Sequence, residues 1–195
     1  DARRDRRHGR GKPSASGRIH VRGTVTYQRP GEDLFLQDGK VGLQVQSMQK
    51  ISLAPGDVVE AVGFPGMQNF LPVLEDAVLK KIDGPQSNVL PTSVLVADLT
   101  NGLNNASFIT LEAKLLDRLT RGVKSWGPGA NNPKIVLVLQ TSNLLFTAEK
   151  EGEDSFLTSI PVGSTLEVNG VCLLQSAEDG KTKSMQLLLP SSRDV

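Results

Sequence analysis

The chain contains an internal repeat. Residues 53–64 read LAPGDVVEAVGF and residues 160–171 read IPVGSTLEVNGV, with glycines and apolar residues in matching positions. Further upstream, residues 34–37 (LFLQ) match residues 137–140 (LVLQ). Two copies of short β-type segments within 195 residues indicate two copies of one small all-β unit. The length suits two units of about 80–90 residues each.

Each copy carries five short segments of strand character. Alternation of apolar and polar residues identifies the strands, and turn residues such as Asp38-Gly39 separate them. The predicted strands cover residues 18–28, 33–38, 42–46, 58–64 and 72–82 in the first copy, and 108–119, 134–141, 144–149, 165–174 and 183–189 in the second. We therefore predict an all-β fold of two tandem five-stranded OB-like antiparallel barrels with at most short helices, since closing each sheet removes its exposed edges.

The repeat also predicts the division into domains. Residues 18–84 form the first barrel, residues 85–106 a connector with a possible short helix, and residues 107–195 the second barrel. Residues 1–17 are rich in Arg, Gly and Ser, so we expect a disordered basic leader, and the initial Asp suggests a piece of a longer protein. A further short helix or turn is expected at residues 154–160.

Charge is distributed unevenly along the chain. Of the 22 basic and 21 acidic residues, seven basic and two acidic ones lie within residues 1–18, which leaves a net charge of −4 for residues 19–195. The part expected to fold is therefore mildly acidic and not a cationic surface. No apolar run approaches the roughly 20 residues of a membrane helix.

Enzymatic chemistry finds little support in the sequence. Of the two histidines, His8 lies in the leader and His20 in a strand, and neither has a second His or Cys positioned to form a metal site. Nucleophile and phosphate-loop motifs are missing, and the carboxylates of residues 149–154 lack a calcium-loop spacing. Cys172 lies in an apolar strand and is expected to be a buried, inert thiol. No catalytic residue, metal or cofactor is predicted.

Binding of single-stranded nucleic acid is an alternative because OB barrels often bind such strands. That function needs a basic groove and aromatic side chains on which bases stack. Aromatic residues make up only 4% of the chain, and the face of strands two and three offers Gln37, Gln44 and Gln46 and few basic groups. The composition therefore argues against a specific nucleic-acid partner.

Three segments together resemble a known family. They are residues 22–46 (RGTVTYQRPGEDLFLQDGKVGLQVQ), residues 55–79 (PGDVVEAVGFPGMQNFLPVLEDAVL) and the closing residues 168–195, with VNGVC and SMQLLLPSSRDV. In order and spacing they are similar to the extracytoplasmic region of a group of bacterial sensor histidine kinases. The resemblance covers nearly all of residues 18–195. The leader has no match, and Met185 stands where the family pattern often has Phe.

The resemblance implies a non-catalytic sensor domain of a membrane-bound two-component histidine kinase. Its partner would be an unidentified small molecule or a periplasmic protein, and the parent kinase would mediate a homodimer. The domain would lie outside the cytoplasmic membrane, attached only through flanking segments. A structural module for protein interaction is the remaining alternative.

Ligand-binding residues are predicted at two places. The loop of residues 64–70 places Phe and Met beside turn residues, and Tyr27 and Arg29 at the end of strand one are expected on the same rim of the barrel. A single Trp lies in the Gly- and Pro-rich excursion of residues 120–133. The candidate residues are Tyr27, Arg29, Phe64, Met67, Phe70 and Trp126.

Overall fold

The computed structural model describes residues 17–69, 71–101, 104–122, 133–176 and 182–195. The predicted sites at Phe70 and Trp126, and residues 1–16 of the predicted leader, lie outside the described residues. The described chain is mostly β-structure in two closed five-stranded barrels, which confirms the predicted fold class.

The first barrel contains five strands and closes in the order β1-β2-β3-β5-β4. All neighbouring strands are antiparallel except β3 and β5, which run parallel. The strands are β1 (Ile19–Gln28), β2 (Asp33–Asp38), β3 (Val41–Gln46), β4 (Val58–Gln68) and β5 (Leu71–Ile82).

The second barrel repeats this order of strands. It closes as β7-β8-β9-β11-β10, again with one parallel pair, β9 and β11, and a two-residue strand β6 (Thr92–Ser93) lies parallel to β7. Its strands are β7 (Phe108–Gly122), β8 (Pro133–Thr141), β9 (Leu144–Glu151), β10 (Thr165–Ser176) and β11 (Thr182–Leu188).

Equivalent glycines make the same turn in both copies. Gly56 has φ +95° and donates its N–H to the carbonyl of Val25 at 2.8 Å, while Gly163 has φ +97° and donates to the carbonyl of Leu115 at 2.8 Å. Positive φ is readily adopted only by glycine. The repeated glycine therefore preserves the contact by which the turn before strand four is tied to strand one.

Helical structure is short, as predicted. Helix α1 (Ser155–Ser159) begins after Asp154, whose Oδ1 accepts a hydrogen bond from the N–H of Leu157 at 3.1 Å and caps the first turn. In the connector, where a short helix was possible, the structure has a 3₁₀ turn (Val96–Asn101). A second 3₁₀ turn, Ser192–Asp194, ends the chain.

A β-bulge changes which way the end of β1 faces. The alternating pattern places Val25 and Tyr27 on one side of the strand, but the pairing of β1 with β2 shifts between these two residues. Val25 therefore lies in the core of the first barrel, whereas Tyr27 faces outward. The extra residue of a bulge moves the following side chain to the other face.

The two barrels have separate cores and meet at a third apolar cluster. We call this contact the inter-barrel joint, and its buried members are Tyr27, Phe35, Ala106, Phe108, Val171 and Leu188. Tyr27 and Phe35 belong to the first barrel. Ala106 lies just before β7, and Phe108, Val171 and Leu188 lie on β7, β10 and β11 of the second barrel. Val89 of the connector also packs there.

Hydrogen bonds and close packing hold the joint together. The N–H of Phe108 donates to Oε1 of the buried Gln37 at 2.7 Å, and the N–H of Gly42 donates to Oγ of Ser107 at 3.0 Å. A Cβ atom at Gly42 would overlap the carbonyl group of Ala106. Close backbone approach of this kind requires glycine, so the hairpin of β2 and β3 fits closely onto the first residues of the second barrel.

Candidate functional site

Two of the predicted ligand residues are part of the inter-barrel joint. Tyr27 is only 7% exposed, and the guanidinium of Arg29 lies 5.7 Å from the centre of its ring. Nε of Arg29 donates to Oε1 of Glu151 in the second barrel at 3.1 Å. Burial, with a smaller contribution from Glu151, raises the pKa of Tyr27 to about 12. Both side chains thus connect the barrels.

The structure places Phe64 away from this pair. Phe64 is 37% exposed and lies beside the beginning of β1, where the guanidinium of Arg18 is 5.2 Å from the centre of its ring. Met67 is 59% exposed further along β4. Tyr27 and Arg29 lie at the opposite end of the ten-residue β1 from Phe64, so these three residues do not share one rim of the barrel.

The joint also covers part of the face that commonly binds ligands in OB barrels, the outer side of strands two and three. In the first barrel the β2 part of this side carries Phe35, which is fully buried, and Gln37, which is 4% exposed. Both lie against the second barrel. The β2 part is therefore closed to a ligand, and a more exposed surface lies elsewhere on the first barrel.

The exposed outer side of β1, β4 and β5 is such a surface, and we call it the β1–β4–β5 face. The pairing of the three strands aligns their outward side chains in rows. One row is His20, Val62 and Val78, and the next is Arg22, Glu60 and Lys80. At the end of the face the Arg18 guanidinium lies over the ring of Phe64, whose neighbour on β5 is Glu75. The side chains concerned are Arg18, His20, Arg22, Glu60, Val62, Phe64, Glu75, Val78 and Lys80.

Positive charge predominates on the exposed part of this face. Arg18, Arg22 and Lys80 are exposed, whereas Glu60 is partly buried and its Oε2 lies 3.6 Å from Nε2 of His20. These three groups form a local cationic region on a chain with a formal net charge of only +1.

Sequence reasoning missed this face although part of its signal was present. Arg18, His20 and Arg22 alternate with Ile19 and Val21, which predicts a polar and basic side for β1. Their association with an exposed aromatic ring depends on the pairing of β1 with β4, which alternation within one strand does not reveal.

The described residues offer neither a metal site nor a membrane-spanning helix. In residues 17–69, 71–101, 104–122, 133–176 and 182–195, no three His, Cys, Asp or Glu side chains are grouped so that they could hold a metal ion. Within the same ranges, no helix has the length and apolar character needed to cross a membrane.

Comparisons with known proteins found similarity only to solved structures. No family model matches the chain, and no curated protein matches it. A structure of a replication protein A heterotrimer bound to ssDNA is 13% identical with a TM-score of 0.36, over 91% of this chain and 50% of that chain. This chain thus spans half the length of that protein.

Two other similar structures are matched over most of their length. A murine DNA-binding protein bound to dsDNA is 9% identical with a TM-score of 0.35, over 87% of this chain and 93% of that chain. The single-stranded DNA-binding protein of Thermus aquaticus is 14% identical with a TM-score of 0.31, over 88% of this chain and 89% of that chain.

These findings correct two predictions made from the sequence. The similar structures above are described as bound to DNA or as DNA-binding proteins, and none of them is a sensor kinase, so the predicted sensor domain of a histidine kinase is wrong. The predicted partners, a small molecule or periplasmic protein in place of nucleic acid, are wrong for the same reason. At this level of identity no function passes to this chain, and its own surface must support one.

Proposed function

We propose that this chain binds single-stranded nucleic acid on the β1–β4–β5 face. The observation that carries the proposal is the position of the Arg18 guanidinium, 5.2 Å from the centre of the partly exposed Phe64 ring. Binding of single strands combines basic groups along the backbone with aromatic rings on which bases stack. The pair supplies one of each at the same place.

Arg18, Arg22 and Lys80 would contact phosphates. Arg18 directly precedes β1, Arg22 lies on it and Lys80 lies on β5, so a nucleic-acid strand crossing the sheet would meet cations on both outer strands, whereas the β5 neighbour of Phe64 is Glu75. The basic residues 1–17 would add contacts without sequence preference, since phosphate contacts position a strand and do not read its bases.

Phe64 would stack on an unpaired base. Its exposed fraction of 37% leaves part of the ring open, and Arg18 stabilises the ring from one side through a cation–π contact. A duplex keeps its bases stacked on one another, so this contact favours single strands over duplexes of the same sequence.

Fluorescence anisotropy with a labelled mixed-sequence oligonucleotide tests the proposal. Loss of one base–aromatic stack costs about 1–3 kcal/mol, so Phe64→Ala should weaken binding roughly 5- to 150-fold. Phe156→Ala is the matched control because Phe156 is a 52% exposed Phe on α1 of the other barrel, and it should leave the affinity unchanged.

Three results would contradict the proposal. The unmodified chain fails to bind single strands at low salt, the two Phe variants weaken binding equally, or an unlabelled duplex competes as well as the unlabelled single strand. The last result would show that attraction to phosphate alone accounts for binding.

A further inference from the structure

An open cleft lies between the two barrels, at the side of the inter-barrel joint. It has a volume of about 390 Å³, within the range of ligand sites in proteins. The first barrel contributes Gln44, Gln68, Asn69 and Leu71, and the second contributes β8 to β11 together with Asn105 just before it. Leu71 also packs against the core of the second barrel.

Carboxamide groups with free donors line the cleft. Oδ1 of Asn105 accepts a hydrogen bond from the N–H of Leu174 at 3.0 Å, and Oε1 of Gln68 accepts one from Nε2 of Gln46 at 3.0 Å. These bonds engage the amide oxygens and leave the NH₂ groups for other partners. Gln186 also lines the cleft and makes no side-chain hydrogen bond within the described residues.

Hydrogen-bond acceptors also line the cleft, whereas no basic side chain is among its described lining residues. Nε2 of Gln44 donates to Oδ1 of Asp33 at 2.9 Å, so its Oε1 is the atom left to accept. Glu149 borders the cleft, and its Oε2 lies 3.8 Å from Nζ of Lys134. Among the described lining residues none is Lys or Arg, so an anionic group gains no direct partner there and meets Glu149.

Aliphatic side chains form the rest of the wall. Leu71 of β5, Leu145 of β9 and Leu173 of β10 line the cleft, and Leu145 is 60% exposed. Apolar side chains beside amide donors and acceptors suit a heterocycle with hydrogen-bonding edges. Asn and Gln amides pair in this way with the edges of nucleobases.

We infer that the inter-barrel cleft binds one unpaired, uncharged nucleobase. The choice of this ligand class rests on the proposed function, because the base would belong to the bound strand. Phosphates are held outside the cleft, since their negative charge has no cationic partner within it. The chain then has a surface for backbone and stacking, the β1–β4–β5 face, and a separate cleft that recognises a base edge.

Titration of the chain with neutral nucleosides tests the inference without a nucleic-acid strand. Adenosine, guanosine, cytidine and uridine are added in turn while the side-chain NH₂ signals of Asn105 and Gln68 are followed by NMR. At least one nucleoside should shift both signals and saturate, and its 5′-monophosphate should bind no more tightly.

Substitutions then assign the site. Asn105→Asp keeps an oxygen for the Leu174 N–H but removes the NH₂ donor, so it should preserve the fold and weaken the nucleoside about tenfold. Gln186→Ala removes a second cleft amide that packs no core and should also weaken binding. Asn88→Asp changes an exposed connector amide outside the cleft and should have no effect.

The outcomes separate this inference from the proposed function. Absence of saturable shifts, equal effects of Asn105→Asp and Asn88→Asp, or tighter binding of the monophosphate would each overturn the cleft assignment. Oligonucleotide binding that depends on Phe64 but not on Asn105 would retain the proposed function and reject the cleft. If the chain binds nucleosides through Asn105 but binds no oligonucleotide, the cleft assignment is retained and the proposed function is rejected.

Discussion

The carbonyl group of Ala106 occupies the space that a side chain at Gly42 would need. This contact joins the β2–β3 hairpin of the first barrel to the residues that open the second, and it is reinforced by the hydrogen bond from the Gly42 N–H to Ser107. The position of one barrel on the other is thus determined by backbone packing as well as by apolar burial.

Gly42→Ala should destabilise the protein. The added methyl group forces the hairpin away from Ala106, and overpacking of this kind costs about 1–3 kcal/mol. The free energy of unfolding in urea measures the loss. Gly84→Ala is the control, because no atom lies within 4 Å of a Cβ at that residue. Equal stabilities of the two variants would show that the close approach of Gly42 is not maintained in solution.

Tyr27 should titrate abnormally. It is the only tyrosine, so its ultraviolet absorbance reports it directly, and its pKa of about 12 in the folded chain exceeds the ordinary 10. The folded state then holds the phenol proton more tightly than the unfolded state does. Stability should be fully present below pH 10 and fall as the pH rises toward about 12, by up to about 3 kcal/mol.

The matched variant for this prediction is Tyr27→Phe, which keeps the ring in the joint and removes the titrating group. Its stability should depend less on pH in the alkaline range than that of the unmodified chain. A tyrosine that titrates near pH 10 in the folded protein would contradict the burial of Tyr27 against the second barrel.

Asp57 should make the first barrel sensitive to acid. Its carboxylate accepts hydrogen bonds from Nζ of Lys81 at 2.7 Å and from the N–H of Ala54 at 2.9 Å, and these bonds lower its pKa. A lowered pKa contributes stability above the unfolded value of 3.8, and that stability is lost as the pH falls through the folded value.

Asp57→Asn should therefore unfold more easily than the unmodified chain at neutral pH, and the difference should shrink on acidification. Urea unfolding across a pH series measures both. Asp83→Asn, at an exposed carboxylate just after β5, is the control and should change stability little. A constant difference between the Asp57 variant and the unmodified chain down to the lowest pH would refute the effect.

Salt should weaken oligonucleotide binding in proportion to the phosphates contacted. For single strands the slope of log affinity against log salt changes by about 0.7 for each phosphate neutralised. Arg22→Ala should reduce the slope by about that amount, whereas Arg193→Ala, an exposed Arg at the end of the chain, should not. Identical slopes would place the phosphates away from β1.

Cys172 should resist thiol reagents in the folded protein. It is fully buried in the core of the second barrel, and burial raises its pKa to about 12, so the reactive thiolate is scarce at neutral pH. Because it is the only cysteine, the labelling rate reports opening of that barrel. Rapid labelling without denaturant would contradict the described packing of β10.

The internal repeat made the fold predictable because the repeated residues are those that closure of a barrel requires. Gly56 and Gly163 form equivalent turns, and alternating apolar residues such as Leu34, Leu36, Leu137 and Leu139 point inward in both copies. The direction of Tyr27 was not predictable in this way. It depends on a bulge, which shifts the register without an obvious local signal.

The joint and the candidate site depend on contacts between distant residues. Gln37 and Phe108 meet across 71 residues, and Arg18 meets Phe64 only because β1 pairs with β4. The resemblance used for function rested on motifs that shape the barrel, such as the Gly-rich turns, and one fold supports many activities. That is why the fold was predicted correctly and the sensor function was not.

The joint makes the barrels depend on each other for the burial of apolar side chains. A first barrel expressed alone would present Phe35 and Tyr27 to water, two aromatic rings that the second barrel now shields. Such an exposed patch promotes self-association. Dissection of the chain into single barrels is therefore expected to produce aggregates, and the pair is the smallest unit whose solution behaviour reflects the native protein.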